Sequence, residues 1–186
     1  MDQPVFSWFL GPEISAVGFK TKLNDVLDTD RFASLLQGLN ARILVTQRRN
    51  TVKLIVSWFN SERIFAASGD WNVYANKGPQ EPLRLAPEKF DRRLKSVVIG
   101  KERLDRFVKN LGLSTLQIDY EDLLLHQQKT LRKVCSHLSV PYQSMESNCS
   151  KATSDDLRPV IGNFEELRSY YKGTAYEPMF EEILLK

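Results

Sequence analysis

Ala41-Arg-Ile-Leu-Val-Thr-Gln-Arg-Arg-Asn50 runs directly into Thr51-Val-Lys-Leu-Ile-Val-Ser-Trp-Phe59, and this stretch decides the fold. The apolar run 43–45 suits a buried strand, and Asn50 is a good N-cap for the helix that follows. Apolar residues cover most of that helix and leave one polar stripe, made of Asn50, Lys53, Ser57 and Asn60. The sequence therefore predicts a strand that turns into a largely buried helix.

Two arginines, Arg48 and Arg49, stand at the turn between this strand and helix. Open α/β folds bind ligands at the carboxyl edge of the sheet, where this turn is expected. The helix N-terminus also offers unpaired N–H groups and the positive end of a dipole to an anion. A phosphate site is one interpretation of the turn and the stripe. In the other, the stripe faces water. For Arg48 a separate alternative is pairing with an acidic neighbour instead of the nucleotide.

Arg49, followed by Ser57 eight positions later, resembles the 3′-phosphate-binding motif of sulfotransferases that use 3′-phosphoadenosine 5′-phosphosulfate. Three further segments are similar to that family, in the same order. They are Gly-Phe-Lys-Thr-Lys-Leu at 18–23, the Tyr-Glu-Asp-Leu strand end within 116–124, and the helix at 130–141 that ends in Ser-Val-Pro. The tail at 163–176 looks like the closing segment of bacterial and Golgi-type members. The resemblance covers most of the chain from about residue 18.

The resemblance implies which residues bind the nucleotide co-substrate. Arg49 and Ser57 are expected to hold the 3′-phosphate, with Lys53 and Lys172 as further cationic candidates. Tyr120 corresponds to a tyrosine beside the adenine or the acceptor pocket, although a tyrosine packed at a strand end is an open alternative. Arg158 and Lys151 are additional candidates in the tail.

The resemblance also implies catalytic roles for two lysines. Lys20 is expected to stabilise the charge that develops on the sulfuryl group. Lys22 stands where the cytosolic branch has its general-base histidine, and because an amine is a poor base at neutral pH, we assign it only to the acceptor site. An exposed strand-end lysine is the alternative for both. Glu121 and Asp122 are interpreted as complementing a helix dipole rather than as an acid–base pair.

The expected fold class is α/β, a three-layer parallel sheet with helices on both faces, of the sulfotransferase, P-loop-NTPase-like type. The family's Gly/Ser/Thr-rich 5′-phosphosulfate loop has no counterpart in 1–12, so the fold is expected to lack its first βα unit. We predict one domain, 1–186, with an irregular loop at 68–87 and a helical C-terminal segment at 141–186. The other predicted elements are strands 16–19 and 115–119 and helices 31–38, 87–111 and 130–138.

Composition restricts the function classes. The 186 residues are 42% hydrophobic and 26% charged, which suits one globular domain. A net charge of +3 suits an anionic nucleotide and falls short of the dense basic stripe of a nucleic-acid-binding protein. Cys135 and Cys149, with His126 and His137, show neither disulfide nor zinc spacing, so we expect no metal. The absence of a signal peptide or an apolar membrane span predicts a cytoplasmic protein.

The sequence as a whole predicts transfer of a sulfuryl group from 3′-phosphoadenosine 5′-phosphosulfate to a hydroxyl or amine on a small molecule, glycan or lipid. Little activity is expected from this chain alone, since the 5′-phosphosulfate loop is missing. The alternative is a noncatalytic nucleotide-binding or scaffold module. A nucleotide kinase is disfavoured because Gly-x-x-x-x-Gly-Lys-Ser/Thr does not occur. A second copy of the chain is the expected cover for apolar surface exposed by a missing strand.

Overall fold

The computed structural model describes residues 15–69, 81–144 and 153–184. Within these ranges the regular structure consists of two strands and seven helices, together with a 3₁₀ turn at Leu23–Asp25. The strands are β1 (Ile43–Gln47) and β2 (Thr115–Asp119). The helices are α1 (Thr29–Gly38), α2 (Thr51–Ser68), α3 (Pro87–Leu111), α4 (Tyr120–Leu125), α5 (Gln127–Leu138), α6 (Phe164–Tyr170) and α7 (Glu177–Glu181).

The two strands pair in parallel, in a register that runs from Ile43 opposite Thr115 to Gln47 opposite Asp119. α2 and α3 lie between them in sequence and provide the long connection that parallel strands require. The predicted three-layer parallel sheet is wrong, because the sheet in the described residues has only these two strands. The chain is mixed α/β, with most of its regular structure in helices.

The predicted strand at 16–19 is also wrong. This segment lies in extended but unpaired chain, with Val17 66% and Phe19 70% exposed. Alternating apolar residues favour a strand only where a neighbouring strand accepts the hydrogen bonds, and none does so among the described residues. Phe19 instead lies near the ring of Phe32 on α1, at a centroid distance of 6.2 Å.

The helix predictions are mostly confirmed, with differences at the ends. α3 has the predicted bounds, from Pro87 to Leu111. α1 begins two residues earlier than predicted because Asp28 is its N-cap. α2 runs to Ser68, where Gly69 takes the left-handed conformation (φ 74°) that ends a helix. α5 begins three residues before the predicted 130, and the tail holds two short helices.

Several predicted segments lie wholly or partly outside the described residues. They are 1–12, where no phosphate loop is expected, most of the irregular loop 68–87, and residues 145–152 and 185–186 of the predicted C-terminal segment. At the end of that loop Leu83 forms an isolated parallel bridge with Ile161. This bridge ties the chain before α3 to the C-terminal segment.

The core lies between α2, α3 and the C-terminal segment. α2 contributes a fully buried apolar face, and α3 adds Phe90 and Leu94. The C-terminal residues of the core are Leu157, Ile161, Phe164, Leu167, Tyr171 and Phe180. About half of the core thus comes from the end of the chain, so this segment is part of the folded body.

Within the described residues, no helix is both long and apolar enough to cross a lipid bilayer.

The buried hydroxyl of Tyr171 is expected to lower the stability of this core. Tyr171 is 4% exposed, its ring lies against Phe90 and Phe180, and its hydroxyl has no hydrogen-bond partner among the described residues. Burial raises the pKa of the Tyr171 hydroxyl well above its ordinary value. A buried hydroxyl without a partner keeps its desolvation cost, so removing it is expected to be favourable.

We therefore predict that Tyr171→Phe is as stable as the parent near neutral pH or more stable, by up to about 1 kcal/mol. Because the folded-state pKa is raised, the contribution of the neutral hydroxyl is fully present below the unfolded pKa of about 10 and is lost as pH rises above it. The substitution should therefore also reduce alkaline unfolding. Urea unfolding on both sides of that pH tests this, with Tyr170→Phe as the exposed control. Marked destabilisation by Tyr171→Phe near neutral pH would contradict the prediction.

Candidate phosphate-binding site

The candidate site lies where the carboxyl ends of β1 and β2 meet. Gln47 and Asp119 are the last pair in the strand register, and the Gln47 side-chain amide donates to Asp119 Oδ1 at 2.6 Å. Parallel pairing therefore places the turn that leads into α2 beside the start of α4. The predicted strand-to-helix junction is confirmed, with Asn50 as the N-cap of α2.

Arg49 projects from this junction with its side chain 51% exposed. Its guanidinium nitrogens approach Asp119 Oδ2 at 3.3 Å and Asp122 Oδ1 at 3.1 Å. The Asp122 side chain is itself 47% exposed. Solvent-exposed ion pairs contribute only about 0–1 kcal/mol, so the contact with Asp122 holds Arg49 weakly. The Asp119 side chain is less exposed, at 19%.

Glu121 occupies the inner side of the junction and is 1% exposed. Its two carboxylate oxygens accept hydrogen bonds from the backbone N–H of Arg49 at 3.1 Å and of Asn50 at 3.2 Å. The Nε atoms of Arg48 and Arg49 lie 4.0 and 3.9 Å from the same carboxylate. Glu121 is in the first turn of α4 as predicted. Its carboxylate, however, accepts hydrogen bonds from the backbone that leads into α2.

The polar stripe of α2 is largely buried, so the interpretation that it faces water is wrong. Asn50 accepts from the backbone N–H of Lys53 at 2.8 Å. The Asn50 side-chain amide donates to the Met179 carbonyl at 2.8 Å and to the Glu182 carboxylate at 2.6 Å. Further along the helix, the Asn60 amide donates to the Thr153 hydroxyl at 3.1 Å.

Lys53 forms the central contact of this stripe. Its Nζ lies 3.1 Å from Asp155 Oδ1, with the two side chains only 1% and 5% exposed. The other Asp155 oxygen accepts from the backbone N–H of Leu184. The stripe therefore joins α2 to the C-terminal segment, and in this arrangement Lys53 is committed to Asp155 rather than open to a nucleotide.

Ser57 is half-buried and lies about 9 Å along the helix axis from Thr51, the first residue of α2. Among the described residues no hydrogen bond joins Ser57 to Arg49, and the Ser57 hydroxyl has no partner there. The spacing in the sequence thus places both residues on one strand–helix unit without direct contact. Their joint role in holding a phosphate stays a prediction.

Arg48 lies between the β1–α2 turn and the start of α4. Its guanidinium stands 4.7 Å from the centre of the Tyr120 ring and donates to the Lys53 carbonyl at 3.4 Å. Burial lowers the pKa of Arg48, and the charge of Glu121 opposes that shift. The alternative in which Arg48 pairs with an acidic neighbour is confirmed. Tyr120 is half-buried beneath Arg48, as expected for a tyrosine packed at a strand end.

The remaining predicted cations are spread over the surface. Lys20 and Lys22 are exposed in the unpaired chain before α1, and Lys172 is exposed after α6. Arg158 pairs with Asp156 and Glu181, and Lys151 lies outside the described residues. Among the described residues, no ion pair links these four cations to Arg49 or to the carboxylates that surround it. Their nucleotide and catalytic roles stay predictions.

Three of the carboxylates around the site, those of Asp119, Asp155 and Glu182, are not among the residues predicted from the sequence. Asp119 has a signal, since it ends a predicted strand opposite the end of β1. Asp155 and Glu182 have none, because only folding brings the C-terminal segment onto α2. Among the described residues no group of three or more His, Cys, Asp or Glu is arranged to hold a metal ion. No protein-family model, curated protein or solved structure matches the chain.

Proposed function

We propose that the chain binds a 3′-phosphorylated adenine nucleotide, 3′-phosphoadenosine 5′-phosphosulfate or its product, with Arg49 as the main phosphate ligand. The observation that carries the proposal is the position of Arg49. It is half-exposed, at the carboxyl edge of two parallel strands and beside the N-terminus of an 18-residue helix. The motif spacing to Ser57 adds the expectation that the phosphate is the 3′ one.

The phosphate would replace the carboxylates that now hold the guanidinium. Arginine binds a phosphate through two parallel charge-assisted hydrogen bonds, which two separate carboxylates, Asp122 at 47% exposure and Asp119 at 19%, do not match. Asp119 and Asp122 approach different terminal nitrogens of Arg49, the two atoms that a phosphate would take together. The unbonded Ser57 hydroxyl is a further donor for a ligand that extends along α2.

The proposed reaction is sulfuryl transfer to a hydroxyl or amine acceptor by in-line displacement. The acceptor oxygen or nitrogen forms a bond to sulfur and releases its proton to solvent while the sulfur–oxygen bond to the nucleotide phosphate breaks. Negative charge grows on the leaving phosphate. Cationic side chains stabilise such charge when they are preorganised, and Lys20 is the predicted residue for that role. This chain alone is expected to bind nucleotide better than it catalyses.

The charge balance of the site favours the second candidate, a noncatalytic scaffold module. Three cationic side chains face five carboxylates around the junction. The cations are Arg48, Arg49 and Lys53, and the carboxylates are those of Asp119, Glu121, Asp122, Asp155 and Glu182. A site with an excess of negative charge repels a nucleotide unless the exposed carboxylates turn away. The two candidates therefore differ in one measurable property, the affinity for the nucleotide.

Titration calorimetry with adenosine 3′,5′-bisphosphate separates them. We expect the parent chain to bind and Arg49→Ala to bind about 10- to 100-fold more weakly, because each charged hydrogen bond contributes roughly 1.5–3 kcal/mol. Arg103→Ala, an exposed arginine on α3, is the matched control and should bind like the parent. Adenosine 5′-phosphate should bind weakly and be insensitive to Arg49. No heat from the parent at millimolar nucleotide would instead support the scaffold module.

A further inference from the structure

We infer that Glu121 is a positioning residue for Arg49: its carboxylate is a built-in anion that fixes the β1–α2 turn and leaves only the outer edge of the guanidinium for a ligand. This inference rests on the proposed function for its nucleotide readout. The role of Glu121 in fixing the β1–α2 turn does not depend on that function, because it follows from the contacts around the carboxylate.

The carboxylate meets the turn at both of its oxygens. Consecutive backbone N–H groups, of Arg49 and Asn50, each donate to a different oxygen of Glu121. The arginine Nε atoms at 4.0 and 3.9 Å add positive charge on two sides. At 1% exposure, little water competes for these contacts. The arrangement has the donors of an anion-binding turn, already occupied by a side chain from the neighbouring junction.

Because Glu121 occupies these donors, it determines the orientation of the Arg49 guanidinium. The Nε side of the guanidinium faces Glu121, while the two terminal nitrogens point to the more exposed Asp119 and Asp122. A phosphate entering the site finds the backbone donors taken and is directed to the terminal nitrogens. Without Glu121, both the backbone turn and the side chain of Arg49 lose the contact that sets their orientation.

Chemical rescue tests the assignment. Glu121→Ala removes the carboxylate and leaves two buried N–H donors beside two arginines, a space that formate fits in size and charge. We expect sodium formate, compared with sodium chloride at equal ionic strength, to raise the melting temperature of Glu121→Ala by roughly 2–4 °C. We also expect Glu121→Ala to bind adenosine 3′,5′-bisphosphate about 10-fold more weakly and formate to restore most of that loss. A residue that serves stability alone would not give nucleotide affinity that follows formate.

Two controls make the outcomes decisive. Formate should leave the parent chain and Asp122→Ala unchanged, since neither opens a buried anion site. If Glu121→Ala does not fold, Glu121→Gln is the second variant, and it should weaken nucleotide binding more than Asp122→Asn does. A folded Glu121→Ala that ignores formate, or a Glu121→Gln that binds like the parent, overturns the inference. Failure of the parent to bind nucleotide overturns the proposed function alone, because the formate-induced melting shift requires no nucleotide.

Discussion

Replacing Asp155 by alanine is expected to lower the free energy of unfolding by about 3–5 kcal/mol, because it leaves a buried ammonium group without its counter-ion. The Lys53 side chain is only 1% exposed, so water cannot take the place of the carboxylate. The substitution also removes the acceptor for the backbone N–H of Leu184. Urea unfolding near neutral pH, followed by circular dichroism, measures the change.

The neighbouring residue supplies the control for this prediction. Asp156 pairs with Arg158 at the surface, and its side chain is 39% exposed. Asp156→Ala is therefore expected to change stability by less than about 1 kcal/mol. Replacing both members of the buried pair, as Lys53→Met with Asp155→Leu, should recover most of the loss, since no unpaired charge remains. A loss of under about 1 kcal/mol in Asp155→Ala would show that the pair is open to water.

The buried pair has a consequence for where a ligand can bind. Because Asn50, Lys53 and Asn60 are all engaged by the C-terminal segment, most of the polar stripe belongs to the interior. The part of the junction left to a ligand is its outer end, at Arg49. The site that we propose is therefore smaller than the motif suggested, and we expect its affinity for a nucleotide to depend on the Arg49 guanidinium.

The elements that the sequence predicted well carry their signals locally. Asn50 before an apolar run predicts the start of α2, Pro87 at N1 marks the start of α3, and the glycines Gly69 and Gly112 end these two helices. The apolar run 43–45 in β1 and the alternating Leu116 and Ile118 in β2 predict strands, and here each has the other as its partner. Their parallel pairing follows once two helices separate them, and pairing brings the two junctions together. This much of the site could be predicted from the residues.

The rest depends on contacts between distant parts of the chain. Nothing near Lys53 in the sequence indicates that Asp155 will pair with it, and hence that the stripe will be buried. The expected multistranded sheet came from the alternation of predicted strands and helices together with the family resemblance, and the 16–19 segment meant for it has no partner strand in the described residues. Likewise, a count of basic residues cannot show that carboxylates surround Arg49. Charge at a site is set by tertiary structure, which local patterns do not encode.

The second large effect is expected from Phe90→Ala in the aromatic core, with a loss of about 3–5 kcal/mol in the free energy of unfolding. Phe90 is fully buried, and its ring lies 5.7, 6.2 and 6.4 Å from the rings of Tyr171, Phe180 and Phe59. These neighbours come from α2 and the C-terminal segment. They are large, rigid rings held from several sides, so they cannot collapse into the space that alanine leaves.

The size of that loss tests whether α3 holds the two parts of the core together. Phe90→Leu refills most of the space and should cost about 1–2 kcal/mol, whereas Phe19→Ala, at an exposed aromatic, should cost less than about 1 kcal/mol. Urea unfolding monitored by both fluorescence and circular dichroism gives the three values. Coincident transitions would show that the C-terminal segment unfolds together with α2 and α3. If Phe90→Ala costs no more than Phe19→Ala, the segment is not packed on α3 as described, and the burial of Lys53 against Asp155 loses its structural basis.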